Sequence, residues 1–310
     1  QNIYFGYTKN MEEKIFKSGF VSILGRPNVG KSTLLNKLLG QKVSIVSPKP
    51  QTTRNSITGI MNGEDYQVIF LDTPGIHKPK NKLDNYMAKE IETSASGVDL
   101  LLYLIDATKP IFDSEIENIE SYASSNIPLI VVVNKIDDAD YNKLLPQLTK
   151  LNSLEKVSEI VPVSAKTGKN TDELIKVILS YLKEGPCYYP QDIPTDKNEI
   201  FIAGEIVREK ALWLLNEEIP HGIAVVVNSF KIHENIAKID ASIICEKENH
   251  KKIIIGKDGM KLKEIAEKSR IEMEKIFGEK VFLSLWVKVK DKWRDNSVDV
   301  GNLGYDIKKL

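Results

Sequence analysis

Two cysteines in 310 residues, Cys187 and Cys245, exclude a disulfide framework, and no cysteine–histidine cluster has the spacing of a metal site. Their scarcity fits a reducing, cytoplasmic setting. Long apolar runs are missing as well. Residues 100–105 and 128–133 are apolar, but a membrane span needs roughly 18–20 such residues. Neither sign of charge is in excess: 43 Lys and Arg cancel 43 Asp and Glu, a balance that by itself argues against a nucleic-acid partner. No basic start leads into an apolar core and a small-residue cleavage site, so a secretory signal is not expected. The chain opens on QNIYFGYTKN, and residues 1–10 are expected to be a non-native or disordered leader, with Met11 as the natural start. What is present is ordinary for a globular protein, 42% apolar and 28% charged residues. The length suffices for two domains at roughly 150 residues each.

Short apolar runs alternate with longer amphipathic ones in the first part of the chain. Strands are expected at 19–25, 56–61, 66–72, 99–106, 129–134 and 159–164, and helices at 31–39, 84–94, 113–124, 143–151 and 171–182. That alternation predicts βαβ units, an α/β fold with a mostly parallel sheet and helices on both faces, over residues 11–184. Residues 185–198 hold three prolines and read as a stiff linker. Beyond them the pattern becomes α+β over 199–310. It comprises a helix at 199–219 stopped by Pro220, strands at 223–231 and 236–246, an apolar run at 253–255, a turn, a helix at 260–277 and a strand at 281–289.

The strongest motif is Gly25-Arg26-Pro27-Asn28-Val29-Gly30-Lys31-Ser32, with Thr33 following. It fits G-x-x-x-x-G-K-[ST] between a predicted strand and a predicted helix, the context of a P-loop. The glycines let backbone N–H groups wrap a polyphosphate, and the helix N-terminus adds partial positive charge. Lys31 supplies a point charge to the β- and γ-phosphates, and the Ser32 hydroxyl is a Mg²⁺ ligand. Asp72-Thr73-Pro74-Gly75 ends a strand, where Asp72 holds Mg²⁺ through water and the Gly75 N–H meets the γ-phosphate. Asn134-Lys135-Ile136-Asp137 follows another strand. The Asp137 carboxylate suits guanine N1–H and the exocyclic amine, and adenine lacks that donor pair. Ser164-Ala165-Lys166 offers its backbone to guanine O6. All four segments fall at strand ends, where open α/β sheets bind ligands. Between the P-loop and the next strand lies Gln51-Thr52-Thr53-Arg54. Thr53 is the expected switch threonine for Mg²⁺ and the γ-phosphate, with Thr52 as the alternative.

These motifs resemble the translation-factor-related small GTPases. The string GRPNVGKSTLLNKLLGQKVSIVSPKPQTTR closely resembles the Era family of bacterial ribosome-assembly GTPases, and the resemblance runs from about Gly19 to the C-terminus. It implies a GTPase that turns GTP into GDP and phosphate, and a C-terminal KH domain that binds the 3′ end of 16S ribosomal RNA during 30S subunit maturation. An RNA-binding GTPase acting on another RNA, or in cell-cycle coupling, is the alternative. The resemblance also implies a monomer with peripheral association at the cytoplasmic face of the cell membrane, for which the sequence carries no motif. Ile76 stands where Ras-type GTPases carry a water-orienting Gln. Relatives with a hydrophobic residue there use the P-loop Asn, here Asn28, to help hold an activating K⁺. The expected catalytic set is therefore Lys31, Asn28, Thr53 and Gly75.

In the second domain, Ile255-Gly256-Lys257-Asp258-Gly259 precedes a helix that starts Met260-Lys261. A lone G-x-x-G is a common turn. Here its flanking elements match a type II KH domain, whose loop clamps single-stranded nucleotides. Ile255, Gly256, Lys257, Asp258, Gly259 and Lys261 are the expected RNA-binding residues. Residues 251–294 carry 13 Lys and Arg against 7 Asp and Glu, the local footprint of a phosphate-backbone binder. Trp293, set among charges, is the better candidate for stacking on a base. Trp286 alternates with Leu283, Leu285, Val287 and Val289, so a packed or edge position is at least as good a reading for it as base stacking. Phe16 and Phe20 read as core, and His77 has no evident role as a base.

Overall fold

In a computed structural model, the structure describes residues 15–217 and 219–310, so the expected leader at 1–10 and Met11 lie outside the described residues. The first domain contains β1 (Lys17–Gly25), α1 (Lys31–Leu39), β2 (Ile57–Asn62), β3 (Tyr66–Asp72), α2 (Lys82–Ala95) and β4 (Leu100–Asp106). It continues through α3 (Asp113–Ala123), β5 (Leu129–Asn134), α4 (Tyr141–Asn152), β6 (Glu159–Pro162), α5 (Thr171–Tyr181) and the short β7 (Lys183–Glu184). Among the described residues these strands form one sheet in the order β2-β3-β1-β4-β5-β6, with β7 added to β1. The pairs β3–β1–β4–β5–β6 are parallel, while β2 and β7 run antiparallel. β4 and β5 are buried at every position, so they read as continuous apolar runs rather than alternating ones. Two cores follow. One gathers Val21, Leu34, Leu102, Val132 and Ile178, the other Leu24, Tyr103, Ile119, Val131 and Leu151. The first domain is thus an α/β fold with a mostly parallel sheet between two apolar cores.

Residues 185–198 lie along the first domain. Gln67 Oε1 accepts from the backbone N–H of Tyr188 at 2.8 Å and Tyr189 at 3.0 Å, and its Nε2 donates to the Tyr189 carbonyl at 2.8 Å. The Ile60 N–H donates to Pro194 O at 2.9 Å, and Thr58 Oγ1 to Asp196 Oδ2 at 3.0 Å. The prolines set the stiffness of this segment, and these bonds fix its path.

The second domain contains α6 (Glu199–Leu214), β8 (Ala224–His233), β9 (Ile236–Cys245), α7 (Glu248–Ile255), α8 (Met260–Phe277), β10 (Lys280–Val289) and α9 (Ser297–Asn302). The strand order is β10-β9-β8, with β8–β9 antiparallel and β9–β10 parallel. The parallel pair needs a crossover, and α7 and α8 supply it. The apolar run at 253–255, expected as a separate element, is the last turn of α7. α6 ends at Leu214, five residues before the expected end at Ile219. A further core joins the two domains: Leu83, Tyr86 and Met87 of α2 pack with Ala224, Ile244, Trp293, Val300 and Tyr305. Trp293 is 0% exposed, donates Nε1–H to Gly222 O at 3.0 Å and stacks on Tyr305. The expectation that it stacks on a base is therefore wrong: an indole buried between domains has no face for a nucleotide. Trp286 stands 58% exposed on edge strand β10, its Nε1 bonded to Asp240 at 2.9 Å. Phe16 and Phe20 are half-buried.

Candidate functional site

The P-loop joins β1 to α1 through backbone that few residues tolerate. Asn28 and Gly30 both have positive φ, 64° and 102°. At Gly30 a Cβ would lie 2.3 Å from the Asn134 amide nitrogen, so the loop packs onto the Asn134 segment only because no side chain intervenes. Gly30 also caps α1 without a side-chain bond, which aims the first-turn N–H groups at the loop. Lys31 folds back over it, Nζ donating to Gly25 O and Arg26 O at 3.0 Å each. Burial lowers the Lys31 pKa to about 8, partly opposed by the charge of Asp72. Pro27, Asn28, Gly30, Lys31, Ser32, Thr33, Thr53 and Gly75 line one hollow. Val29 points instead into the core, and the Arg26 guanidinium lies 4.7 Å over the Phe112 ring.

Ser32, Thr53 and Asp72 meet. Ser32 Oγ donates to Asp72 Oδ2 at 2.6 Å and lies 2.9 Å from Thr53 Oγ1, and Ser44 Oγ donates to the same Oδ2 at 2.8 Å. Thr52 turns away: its hydroxyl donates to Lys49 O at 2.7 Å and lies 2.7 Å from Ser47 Oγ. Of the two switch threonines, Thr53 is the one that reaches Ser32. Asp72 is fully buried, and desolvation raises its pKa against the Ser32 hydrogen bond and the Lys31 charge. Its Oδ1 is buried with no hydrogen-bond partner among the described residues. An orphaned carboxylate oxygen beside two hydroxyls is a hard-oxygen donor set that fits Mg²⁺. Among the described residues no group of three or more His, Cys, Asp and Glu offers another metal site.

Beyond Asp72, Thr73 Oγ1 donates to Ile23 O at 2.7 Å and the Ile76 N–H to Gly25 O at 3.0 Å, which holds Pro74 and Gly75 against the P-loop. Ile76 is half-buried against the apolar core and carries no polar atom to hold a water molecule. His77 Nδ1 donates to Gly75 O at 2.7 Å and Nε2 lies 3.3 Å from Asp84, both structural contacts.

The base-site motifs are wired to the P-loop. Asn134 Nδ2 donates to Val29 O at 2.8 Å, and its Oδ1 accepts from Ala165 N at 2.9 Å. Lys135 Nζ donates to Asn28 O at 2.8 Å and to Asp106 Oδ2 at 2.7 Å. The Ser164 hydroxyl bonds Asp137 and holds its carboxyl below the usual range. Lys166 Nζ lies 3.7 Å from Asp137. Asp106 was not among the expected residues. Its position at the end of β4, level with Asn134 across the sheet, is the signal that marks it.

The Gly256–Gly259 loop links α7 to α8 through positive φ at Gly256 (74°), Asp258 (52°) and Gly259 (74°). A Cβ at Gly256 would come within 2.7 Å of Lys261 Cβ, so the turn closes only on glycine. Lys257 and Asp258 are exposed, and Ile255 is half-buried against the domain core. Part of the basic excess serves ion pairs: Lys268 with Glu264, Arg270 with Glu274, Lys290 with Asp299 and Arg294 with Glu246. Lys257, Lys261 and Lys263 cluster at the loop and the first turn of α8.

Residues 20–135 match the family described as 50S ribosome-binding GTPase, and residues 218–294 match the KH domain family. GTPase Era of Clostridium kluyveri is 50% identical over 292 residues, 94% of this chain and 100% of that protein. GTPase Era of Clostridioides difficile strain 630 is 49% identical over 297 residues, 95% of this chain and 100% of that protein. Among solved structures, Era in complex with MgGDPNP and nucleotides 1506–1542 of 16S ribosomal RNA superposes with a TM-score of 0.91 at 45% identity, covering 94% of this chain and 100% of that one. An Aquifex aeolicus Era variant bound to GDP·AlF4⁻ gives the same values. With both domains in that order and near half identity over almost its whole length, the chain belongs to the Era family of GTPases.

Proposed function

We propose that this chain is a Mg²⁺-dependent GTPase that binds the 3′ end of 16S ribosomal RNA and assists maturation of the 30S subunit. The observation that carries the nucleotide half is the meeting of Ser32, Thr53 and Asp72 beside the open N-terminus of α1. The backbone of residues 25–30, with Thr33, wraps the phosphates, and Lys31 neutralises β- and γ-phosphate charge. Asn134, Lys135, Ser164, Ala165 and Lys166 shape the guanine site, and Asp137 accepts from the base. Ser32 and Thr53 would ligate the metal directly and Asp72 through water; when bound, the metal supplies positive charge at the phosphate oxygens. Water attacks the γ-phosphorus and GDP leaves. Backbone groups of the Thr53 and Gly75 segments orient that water, because Ile76 has no polar atom to do so. An activating K⁺ held with the help of Asn28 belongs to the same reading.

The RNA half rests on the glycine loop and its lysines, with Ile255, Gly256, Lys257, Asp258, Gly259 and Lys261 against the strand. In this reading the units are 11–184 for GTP and 199–310 for RNA, joined by 185–198, and the chain acts as a monomer. Among the described residues no helix is long and apolar enough to cross a membrane, so association with the cell membrane would be peripheral. The test is GTP turnover with and without RNA of the 16S 3′ end, in KCl and in NaCl. The expected result is slow basal hydrolysis, stimulated by the RNA and faster in KCl. No turnover in any arm refutes the enzyme reading, and equal rates in both salts remove the potassium.

A further inference from the structure

Arg54 directly follows the threonine that meets Ser32, yet its side chain leaves the first domain. The residue is 1% exposed. Nη1 donates to Ile223 O at 2.6 Å and to Tyr305 Oη at 3.4 Å, and Nη2 donates to His221 O at 3.2 Å. The guanidinium carbon lies 5.9 Å from the Trp293 ring and 5.8 Å from the Tyr305 ring. All of these hydrogen-bond partners belong to the second domain, and the charge of Glu205 in α6 also acts on the guanidinium. The two carbonyls flank Gly222, whose own carbonyl takes the Trp293 indole N–H. The turn Ile219–Gly222, the indole and the phenol thus form a cage of diverging acceptors and ring faces. The planar fork sets Nη1 and Nη2 on these acceptors while Nε is buried without a partner among the described residues, and a compact ammonium does not span both carbonyls.

On the other side of the threonine, the Thr52 carbonyl accepts from Nη2 of Arg208 in α6. Arg208 is also 1% exposed and is ion-paired with Glu205. Thr53 therefore sits between two anchors, both in the second domain. Neighbouring Cα atoms are about 3.8 Å apart, so a displacement at either anchor is felt at Thr53. A buried guanidinium stripped of its acceptors is strongly disfavoured, which makes the seated and unseated arrangements discrete.

We propose that Arg54 is a positioning residue for GTP hydrolysis: seated in the second domain's cage, it holds the Thr53 hydroxyl at Ser32. The metal-binding arrangement of this loop then depends on docking of the second domain. By linkage, a γ-phosphate and Mg²⁺, which engage Thr53, favour the docked arrangement by the same factor. The inference rests on the GTPase reading above.

The experiment uses the full chain and its Arg54→Ala, Arg54→Lys and Tyr305→Phe variants. It measures GDP affinity, and the Mg²⁺ concentration that half-saturates binding of a non-hydrolysable GTP analogue. Arg54→Ala is expected to raise that Mg²⁺ concentration about tenfold while GDP affinity stays within about twofold, with Arg54→Lys and Tyr305→Phe smaller but in the same direction. Turnover of Arg54→Ala should recover in part at high Mg²⁺. If that variant fails to fold, the other two carry the same comparison. Mg²⁺ curves that superpose on the unaltered chain overturn the proposal, and so does a parallel loss of GDP and GTP-analogue binding. An unaltered chain that hydrolyses GTP while its variants are unchanged sinks this inference alone. An unaltered chain that hydrolyses none sinks the GTPase reading with it.

Discussion

At the phosphate and metal end of the nucleotide site Lys31, Asp72 and Asn134 are buried and hydrogen-bonded, whereas at the Gly256–Gly259 loop Lys257 and Asp258 stand in solvent on backbone of unusual conformation. Lys31, Ser32, Asp72 and Asn134 each have partners within the first domain, and Asn134 ties the P-loop to the Ala165 segment. Lys257 and Asp258 are exposed, and the loop's shape comes from positive φ together with short-range backbone bonds such as Gly259 N–H to Gly256 O at 3.3 Å. The difference follows from the two tasks. A site that stabilises phosphate charge gains from fixed dipoles in a medium of low dielectric. A site that grips a sugar-phosphate chain needs close backbone approach and positive charge, and both are available at the surface.

That contrast can be broken by variants that strike one site and spare the other. The largest effect is expected from Lys31→Ala, which should slow GTP hydrolysis on the order of 1000-fold. RNA affinity of the nucleotide-free protein, read by filter binding, should not move. Next comes Asp137→Asn, expected to weaken GTP binding on the order of 100-fold and to favour xanthosine nucleotides, because the exchanged amide suits the altered base edge. Titration with labelled GTP and XTP checks it, and an unchanged GTP affinity would falsify the base assignment. Gly256→Asp should lower RNA affinity about tenfold by forcing a side chain into left-handed backbone and adding negative charge at the phosphates. Hydrolysis of GTP without RNA should be unaffected. The smallest effect is ionic. If three lysines at the loop meet phosphates, doubling the salt should weaken RNA binding about fourfold, and a flat salt response would remove them from the interface.

Much of the nucleotide site was readable because its chemistry sits in short strings at strand ends. The P-loop, Asp72, Asn134 and Ala165 are each local in sequence and close in space for the same topological reason, the parallel order β3-β1-β4-β5-β6. Even Thr53 could be picked over Thr52 by its place beside Arg54. What could not be read depends on distant partners. Trp293 looks exposed among charged neighbours, but Gly222, 71 residues away, supplies its acceptor. Arg54 looks like a solvated loop cation until the cage around Ile223 and Tyr305 is built by another domain. The isoleucines at 253–255 carry no period of their own, so three residues could not reveal the helix they end.

The binding of residues 185–198 to β2 and β3 has a consequence for how strongly the domains must attract each other. The path is held as far as Asp196, and α6 is capped by Asn198, so only Lys197 lies free between them and the tether spans roughly 7 Å. A domain confined to that radius meets its partner at an effective concentration on the order of millimolar or above. Docking then needs little intrinsic affinity, and a few contacts at one loop suffice to tip the balance between arrangements. The second domain never has to be recruited, because the tether already keeps it beside the first.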